Sequence, residues 1–285
     1  MRHAHRTAGA LACALAAWAA LSGCSESASR SADGATPGGR SGAGVTAPGP
    51  SRPPGSAAPT AAPTASPTPL VSMPPVDEAR MPRSPAQARA LLGRVIADSS
   101  LIGPGVVPAT PYESDPSAAP YLDGKCVWQT GPLPADVLAT RTRYFHVPAR
   151  EGRGRIQINA TVTVHHSREE SGWEVARAME EVMRCPDQQL RGDQRLKGLL
   201  GTTLYYGEYT NNWTEDAFNE YGEYYGTEEG GPHLYYWYQG QYGPLVMAVS
   251  AKGAQGVTKE ELSPLLTQGM AWMMQRAKNE LGKAG

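Results

Sequence analysis

The chain predicts an α+β domain: a mainly antiparallel sheet packed with helices as an α/β sandwich, preceded by a signal peptide and a disordered linker. Three observations carry this. From Ile156 to His165, Ile, Ile, Ala, Val and Val alternate with Gln, Asn, Thr, Thr and His, the period of two of a sheet with one packed face and one wetter face. Two stretches with apolar residues at helical spacing, near 85–96 and 265–281, lie at either end of the strand-like segments. From Ser25 to Pro69, 39 of 45 residues are Ala, Gly, Ser, Thr or Pro, too little apolar surface to offset the entropy of ordering.

Order is expected from Ser84. Ser84-Pro85 reads as an N-cap followed by proline at the first helical position, and Ala88, Leu91, Leu92, Val95 and Ile96 mark one face. Five prolines between Gly103 and Pro120 read as loop. Short strands are expected at 126–129 and 141–147, before the long one at 155–166. Ser167 and Glu170 have capping-box spacing and open a helix. Its buried stripe is expected to be Trp173, Ala176, Met179, Val182 and Met183, and Pro186 stops it. Strands follow at 202–209, 233–239 and 244–252. Ser263-Pro264 then starts a last helix carrying Leu265, Leu266, Met270, Met273, Ala277 and Leu281.

Ahead of the domain, Arg2 and Arg6 precede an apolar run from Ala8 to Leu21 that is too short to span a bilayer. It ends in Leu21-Ser22-Gly23-Cys24, which resembles a bacterial lipobox. The resemblance implies a signal peptide at 1–23 and a Cys24 whose thiol is lipidated, with acyl chains of the palmitate kind. Cys24 is then the mature N-terminus, anchored to the cell membrane on its extracytoplasmic face. An ordinary secretory signal with a chance cysteine is the alternative. Residues 24–83 read as lipidated cysteine plus spacer, with a coil reach of roughly 35–40 Å, and residues 84–285 as the folded domain.

Cys13 leaves with the signal, so Cys126 and Cys185 remain as an even pair in an exported chain. They are expected to form one disulfide, closing a loop of about 60 residues and contributing on the order of 4 kcal/mol in the chain-entropy model. A metal pair or redox couple is the alternative, but neither cysteine belongs to a Cys-x-x-Cys unit.

The order of parts has a counterpart. A cysteine leads into hairpin strands, and a Thr161-Val-Thr-Val164 strand feeds a capped helix ending Arg184-Cys185-Pro186. A Gly243-Pro244-Leu-Val-Met-Ala-Val249 strand then precedes a terminal helix. Residues 84–283 resemble the extracellular sensor domain of mycobacterial PknH-type receptor kinases and the stand-alone actinobacterial lipoproteins that share it. The resemblance implies an α/β sandwich outside the membrane that binds an unidentified ligand. The receptor version has two disulfides where this chain has cysteines for one, and no His-Arg-Asp or Asp-Phe-Gly kinase signature is present.

The least ordinary composition runs from Gly198 to Ala251, 54 residues without Lys or Arg. Ten of the thirteen tyrosines lie between Tyr205 and Tyr242, with seven carboxylates among them. Tyrosine and tryptophan combine an apolar body with a hydrogen-bonding tip, suited to sugar rings and, beside carboxylates, to amines. Tyr205, Glu208, Tyr209, Trp213, Tyr235 and Trp237 are the candidate ligand residues. Ordinary cross-strand pairing accounts for such tyrosines equally well. Nucleic acid is disfavoured, because the net charge is −1 and the segment is acidic. The arginines at 141, 143, 150, 153 and 155 read as a solvated hairpin turn, with anionic lipid headgroups or wall polymers as the alternative.

No Gly-x-Ser-x-Gly elbow or His-Glu-x-x-His motif occurs, and His165 and His166 are adjacent in a strand and point to opposite faces. No enzyme activity, cofactor or metal is therefore expected. The composite reading is a membrane-anchored, non-catalytic binding or sensor module for an envelope glycan, small molecule or protein. A structural or accessory subunit of another envelope protein is the alternative. A wall-polymer hydrolase using Glu215, Asp216 or Glu220 is a third reading.

Overall fold

The computed structural model describes residues 73–202 and 214–283. The expected signal peptide, Cys24 and most of the expected spacer lie outside the described residues, as do Tyr205, Glu208, Tyr209 and Trp213. Among the described residues, no helix is long and apolar enough to cross a membrane.

The predicted fold class is the observed one. Helices α1 (Pro85–Val95) and α2 (Ser99–Ile102) come first. Strands β1 (Val107–Glu113), β2 (Ala118–Leu122), β3 (Trp128–Pro132), β4 (Val137–Val147) and β5 (Ile156–His165) follow. Helix α3 (Arg168–Arg184) precedes β6 (Gln188–Gln189), β7 (Arg195–Thr202), β8 (Asp216–Gly226), β9 (Gly230–Tyr242) and β10 (Leu245–Lys252), and α4 (Lys259–Leu281) closes the chain. One eight-stranded sheet has the order β1-β4-β5-β10-β9-β8-β7-β6, antiparallel throughout, and β2 and β3 form a separate hairpin. The β9–β10 connection turns at Gly243, whose φ of 55° is open to a residue without Cβ.

Strand alternation sorts the side chains into two layers. Ile158, Ala160, Val162 and Val164 of β5 join Leu245, Met247 and Val249 of β10 under α1 and α4, where Leu92, Leu266, Met270 and Met273 complete the main core. Gly269 lets α4 approach closely, for a Cβ there would lie 2.7 Å from Ile102 Cδ1. The opposite face packs Leu196, Phe218, Tyr224, Tyr235 and Val246 against Val175 and Val182 of α3.

Several expectations shift. Residues 73–83, ahead of the expected start at Ser84, pack on the domain. Asp77 N–H donates to Leu281 O, Lys283 N–H to Pro75 O and the Tyr242 hydroxyl to Pro74 O, while Met73 and Val76 pack on the core. The Pro-rich 103–120 stretch is not all loop, since β1 and most of β2 lie in it. β1 is a sheet edge, where proline's missing N–H breaks no inner ladder. Of the expected 202–209 strand only Thr202 is among the described residues, where it ends β7, and β8 was not expected at all. Helix α4 starts at the Thr258–Glu261 capping box, placing Pro264 inside the helix rather than at its start.

The α3 stripe is also different. Of the expected residues Val182 is buried and Met179 packs against the second core, but Trp173 and Met183 are 59% and 79% exposed, and Ser171 and Val175 turn inward instead. At the first turn of α3 the sheet offers polar groups: the Ser171 hydroxyl lies 2.7 Å from Gly243 O and accepts from Gln241 Nε2, and an indole, which only donates, cannot do both.

Candidate functional site

Cys126 and Cys185 form the disulfide, with Cα atoms 5.5 Å apart. Cys185 is the C-cap of α3, and Cys126 ends the Asp123–Cys126 turn of the β2–β3 hairpin. The bond therefore fastens the hairpin to the end of α3. Gln189 N–H donates to Cys126 O, and Trp128 Nε1–H donates to Gln188 Oε1 at 2.7 Å.

The fastened hairpin stands over the half of the sheet that α3 leaves uncovered. Beneath it is a groove in two adjoining lobes of about 260 and 340 Å³, sharing Pro120, Trp128, Thr161, Trp237 and Ala248 as walls. Its floor is the wetter face that the period of two in β5 foretold. Thr142 and Thr161 pair hydroxyl to hydroxyl at 2.8 Å, Thr140 and Thr163 at 3.1 Å, and Asn159 Nδ2 donates to Ser250 Oγ at 3.3 Å.

Trp128 and Trp237 flank the groove with ring centres 6.4 Å apart and planes 21° from parallel. Below its surface, two polar atoms lack a hydrogen-bond partner among the described residues: Trp237 Nε1 and Gln239 Oε1. Gln239 turns its amide nitrogen toward Glu174, 3.4 Å away, which leaves its oxygen over. A buried polar atom left unpaired costs roughly 1–3 kcal/mol.

The two lobes differ in charge. Glu174, Glu181 and Arg177 line one, and burial raises the Glu181 carboxyl above its ordinary range. Arg191 and Lys252 line the other. Lys252 donates to Gln194 Oε1 at 3.1 Å and lies over the Tyr224 ring. Burial, with the neighbouring Arg191, lowers its ammonium to about 8 against an opposing effect of Glu229.

Of the candidate ligand residues, Tyr235 and Trp237 come together on this face of β9, which is a groove and not a flat surface. Tyr235 is only 4% exposed, and its hydroxyl donates to Glu220 Oε1 at 2.9 Å. Burial pushes the Glu220 carboxyl up to about 7, against the Tyr235 hydrogen bond and with Glu181 adding to the rise. The tyrosines do not share one face: Tyr236 and Tyr238 turn toward the main core. Trp128, Gln239, Lys252, Arg191 and the threonine pairs were not singled out as ligand residues. The available signals were the polar half of β5 and Lys252 as the first cation after the 54-residue gap.

The carboxylates weighed for hydrolysis have other commitments. Glu215 pairs with Arg168 and accepts from Gly243 N–H, Asp216 accepts from Ala217 N–H, and Glu220 is buried. His165 is fully buried between Glu174 Oε2 (2.6 Å) and Asp136 O (3.1 Å), whereas His166 is exposed. Arg141 and Arg143 pair with Glu113, and Arg153 with Glu261. Among the described residues, no three His, Cys, Asp or Glu side chains are grouped to hold a metal ion.

Fold and site together define a sandwich domain with a disulfide-fastened groove on the polar face of its sheet. No protein-family model matches the chain, and no curated protein matches it. Among solved structures it is similar to the extracellular domain of PknH from Mycobacterium tuberculosis, with 13% identity and a TM-score of 0.40 over 72% of this chain and 98% of that one. A likeness at that score bears on neither ligand nor activity.

Proposed function

We propose that this chain is a non-catalytic binding module, held on the extracytoplasmic face of the membrane by lipid on Cys24, whose groove takes a hydroxyl-rich ligand. The observation that carries the reading is the groove itself: hydroxyls and amides on the floor, with two indoles at the walls. A few polar groups among apolar and aromatic walls are the common make-up of a small-ligand site. Unpartnered Trp237 Nε1 and Gln239 Oε1 add to it, since they burden the empty fold. The disulfide supports export, because such bonds persist in oxidising compartments, and the lipobox-like tetrad at 21–24 supports the anchor.

Two measurements test this. Mass spectrometry of native material is expected to find a mature form that begins at acylated Cys24. A screen of neutral and acidic saccharides against the purified chain is expected to raise its melting temperature with at least one class, and Trp237→Ala to abolish the shift. An unprocessed N-terminus removes the anchor from the reading, and a screen without any shift removes the groove.

An accessory role beside another envelope protein is the second reading, favoured by the outward Trp173 and Met183 of α3. Photo-crosslinking from position 173 in cells tests it: one reproducible adduct supports it, and none counts against it.

A further inference from the structure

The groove's two lobes are not equivalent: the one below β3 is lined by two cations, with Glu229 near Lys252 but outside ion-pair distance. Lys252 and Arg191 both line it. Neither has a carboxylate within ion-pair distance among the described residues. The nearby Glu229 is held by Gln157 Nε2 at 2.9 Å. A lysine drawn into a part-buried wall beside an arginine is in an unfavourable place, because burial and a like charge both oppose its ammonium. Lys252 is the last residue of β10, and its head group is held there by Gln194 Oε1 and the Tyr224 ring.

Around this cation the donors and acceptors converge. Gln194 Oε1 holds its Nζ at 3.1 Å, and Asn159, Ser250, Thr142 and Tyr144 line the same lobe. Trp237, with its unpartnered indole N–H, stands where the two lobes meet.

From this arrangement, we infer that the Lys252–Arg191 lobe is an anion subsite, and that the ligand is an acidic saccharide whose carboxylate or phosphate meets these two cations while its ring lies against Trp237 and Trp128. The inference rests on the binding reading above and narrows it to a charge class. It also reverses the polarity expected from the acidic composition of the surrounding segment, which had pointed to amine-bearing partners. Lysine meets such a group as a point charge, whereas arginine offers a planar fork of donors; together they accept either a carboxylate or a phosphate.

The test is calorimetric titration of the full chain with matched probes: glucose, glucuronate and glucose 6-phosphate, and N-acetylglucosamine beside N-acetylmuramate. At least one acidic member is expected to bind about tenfold or more tighter than its neutral twin, the worth of one charge-assisted hydrogen bond. Glucuronate against glucose 6-phosphate separates carboxylate from phosphate. Lys252→Met keeps the aliphatic stem and is expected to bring the acidic probe down to its neutral twin, and exposed Arg191→Gln to lower it part of the way without touching the core. An acidic probe no tighter than its twin, or an advantage that survives both substitutions, overturns the subsite while leaving a neutral-sugar groove standing. Binding by no probe of either kind overturns the groove reading and the subsite together.

Discussion

Trp128 on β3 and Trp237 on β9 lie nearly parallel across the groove, yet their indole N–H groups have opposite fates. Trp128 donates to the buried Gln188 at 2.7 Å, and Trp237 has no partner among the described residues. One ring belongs to the fastening of the hairpin. The other has no described partner, and in the proposed reading it is the one that serves the ligand. Substitution by phenylalanine separates the two roles. Trp128→Phe strands the Gln188 oxygen and is expected to cost about 1–3 kcal/mol in urea unfolding. Trp237→Phe is expected to change stability by less than about 1 kcal/mol and to weaken ligand binding instead. Equal stability losses in both variants contradict this division.

The disulfide is expected to matter twice. Replacing both Cys126 and Cys185 by serine releases a loop of 59 residues in sequence separation, with a loss on the order of 4 kcal/mol in the chain-entropy model. It also unfastens the hairpin that walls the groove. Mild reduction of the intact chain is therefore expected to lower ligand affinity under conditions where circular dichroism still reports the sheet. Retained affinity after complete reduction counts against the hairpin as a wall.

Glu220 sets a pH dependence whose sign is definite. Its folded-state pKa of about 7 lies above the ordinary 4.5, so between those values the folded chain holds a proton that the unfolded chain has released. Stability then falls as pH rises from about 4.5 to 7, by on the order of 3 kcal/mol from this group, and levels off above. Glu220→Gln keeps an acceptor for the Tyr235 hydroxyl and cannot ionise. The variant is expected to match the parent near pH 4.5 and exceed it near pH 8 by urea unfolding. Glu181 is also raised by burial and its charge adds to the Glu220 rise, so part of the difference between the two proteins belongs to the pair.

Lys252 runs the other way. Its folded-state pKa of about 8 lies below 10.5, so the unfolded chain binds the extra proton and stability rises with pH across that window. At pH 7 the charged lysine therefore burdens the fold. Lys252→Met is expected to leave the melting temperature unchanged or higher, equivalent to about 1–2 kcal/mol after allowance for its partial exposure. A marked destabilisation instead assigns the residue to the architecture.

Where the sequence was legible, one physical rule acted alone. The alternation of β5 named both the packed face and the groove floor, and Ser84 and Ser167 marked the starts of α1 and α3 because their hydroxyls accept from Gln87 and Glu170 N–H. Elsewhere a second rule intervened. Strand β8 mixes Phe218, Glu220, Gly222 and Tyr224 on one face, a pattern without β-branched residues that makes sense only once α3 covers it. Pro108 and Pro111 masked β1 because edge position is a property of the whole sheet. Trp173 and Met183 looked buried because helical spacing alone does not tell which of two neighbouring stripes meets a polar surface. The groove walls were hidden for a related reason: Trp128, Arg191 and Lys252 are brought together by the disulfide and the sheet order.

The most direct test of the ligand groove is the set of indole N–H signals in a ¹H–¹⁵N spectrum of the chain, which has six tryptophans. The signals are assigned by single Trp→Phe variants and followed while the tightest-binding acidic saccharide is added. Trp128 and Trp237 are expected to shift saturably with the ligand, while exposed Trp173 and Trp272 stay in place. Stationary Trp128 and Trp237 signals at saturating ligand, or movement confined to the exposed pair, contradict the claim that the space beneath the hairpin is where this protein binds.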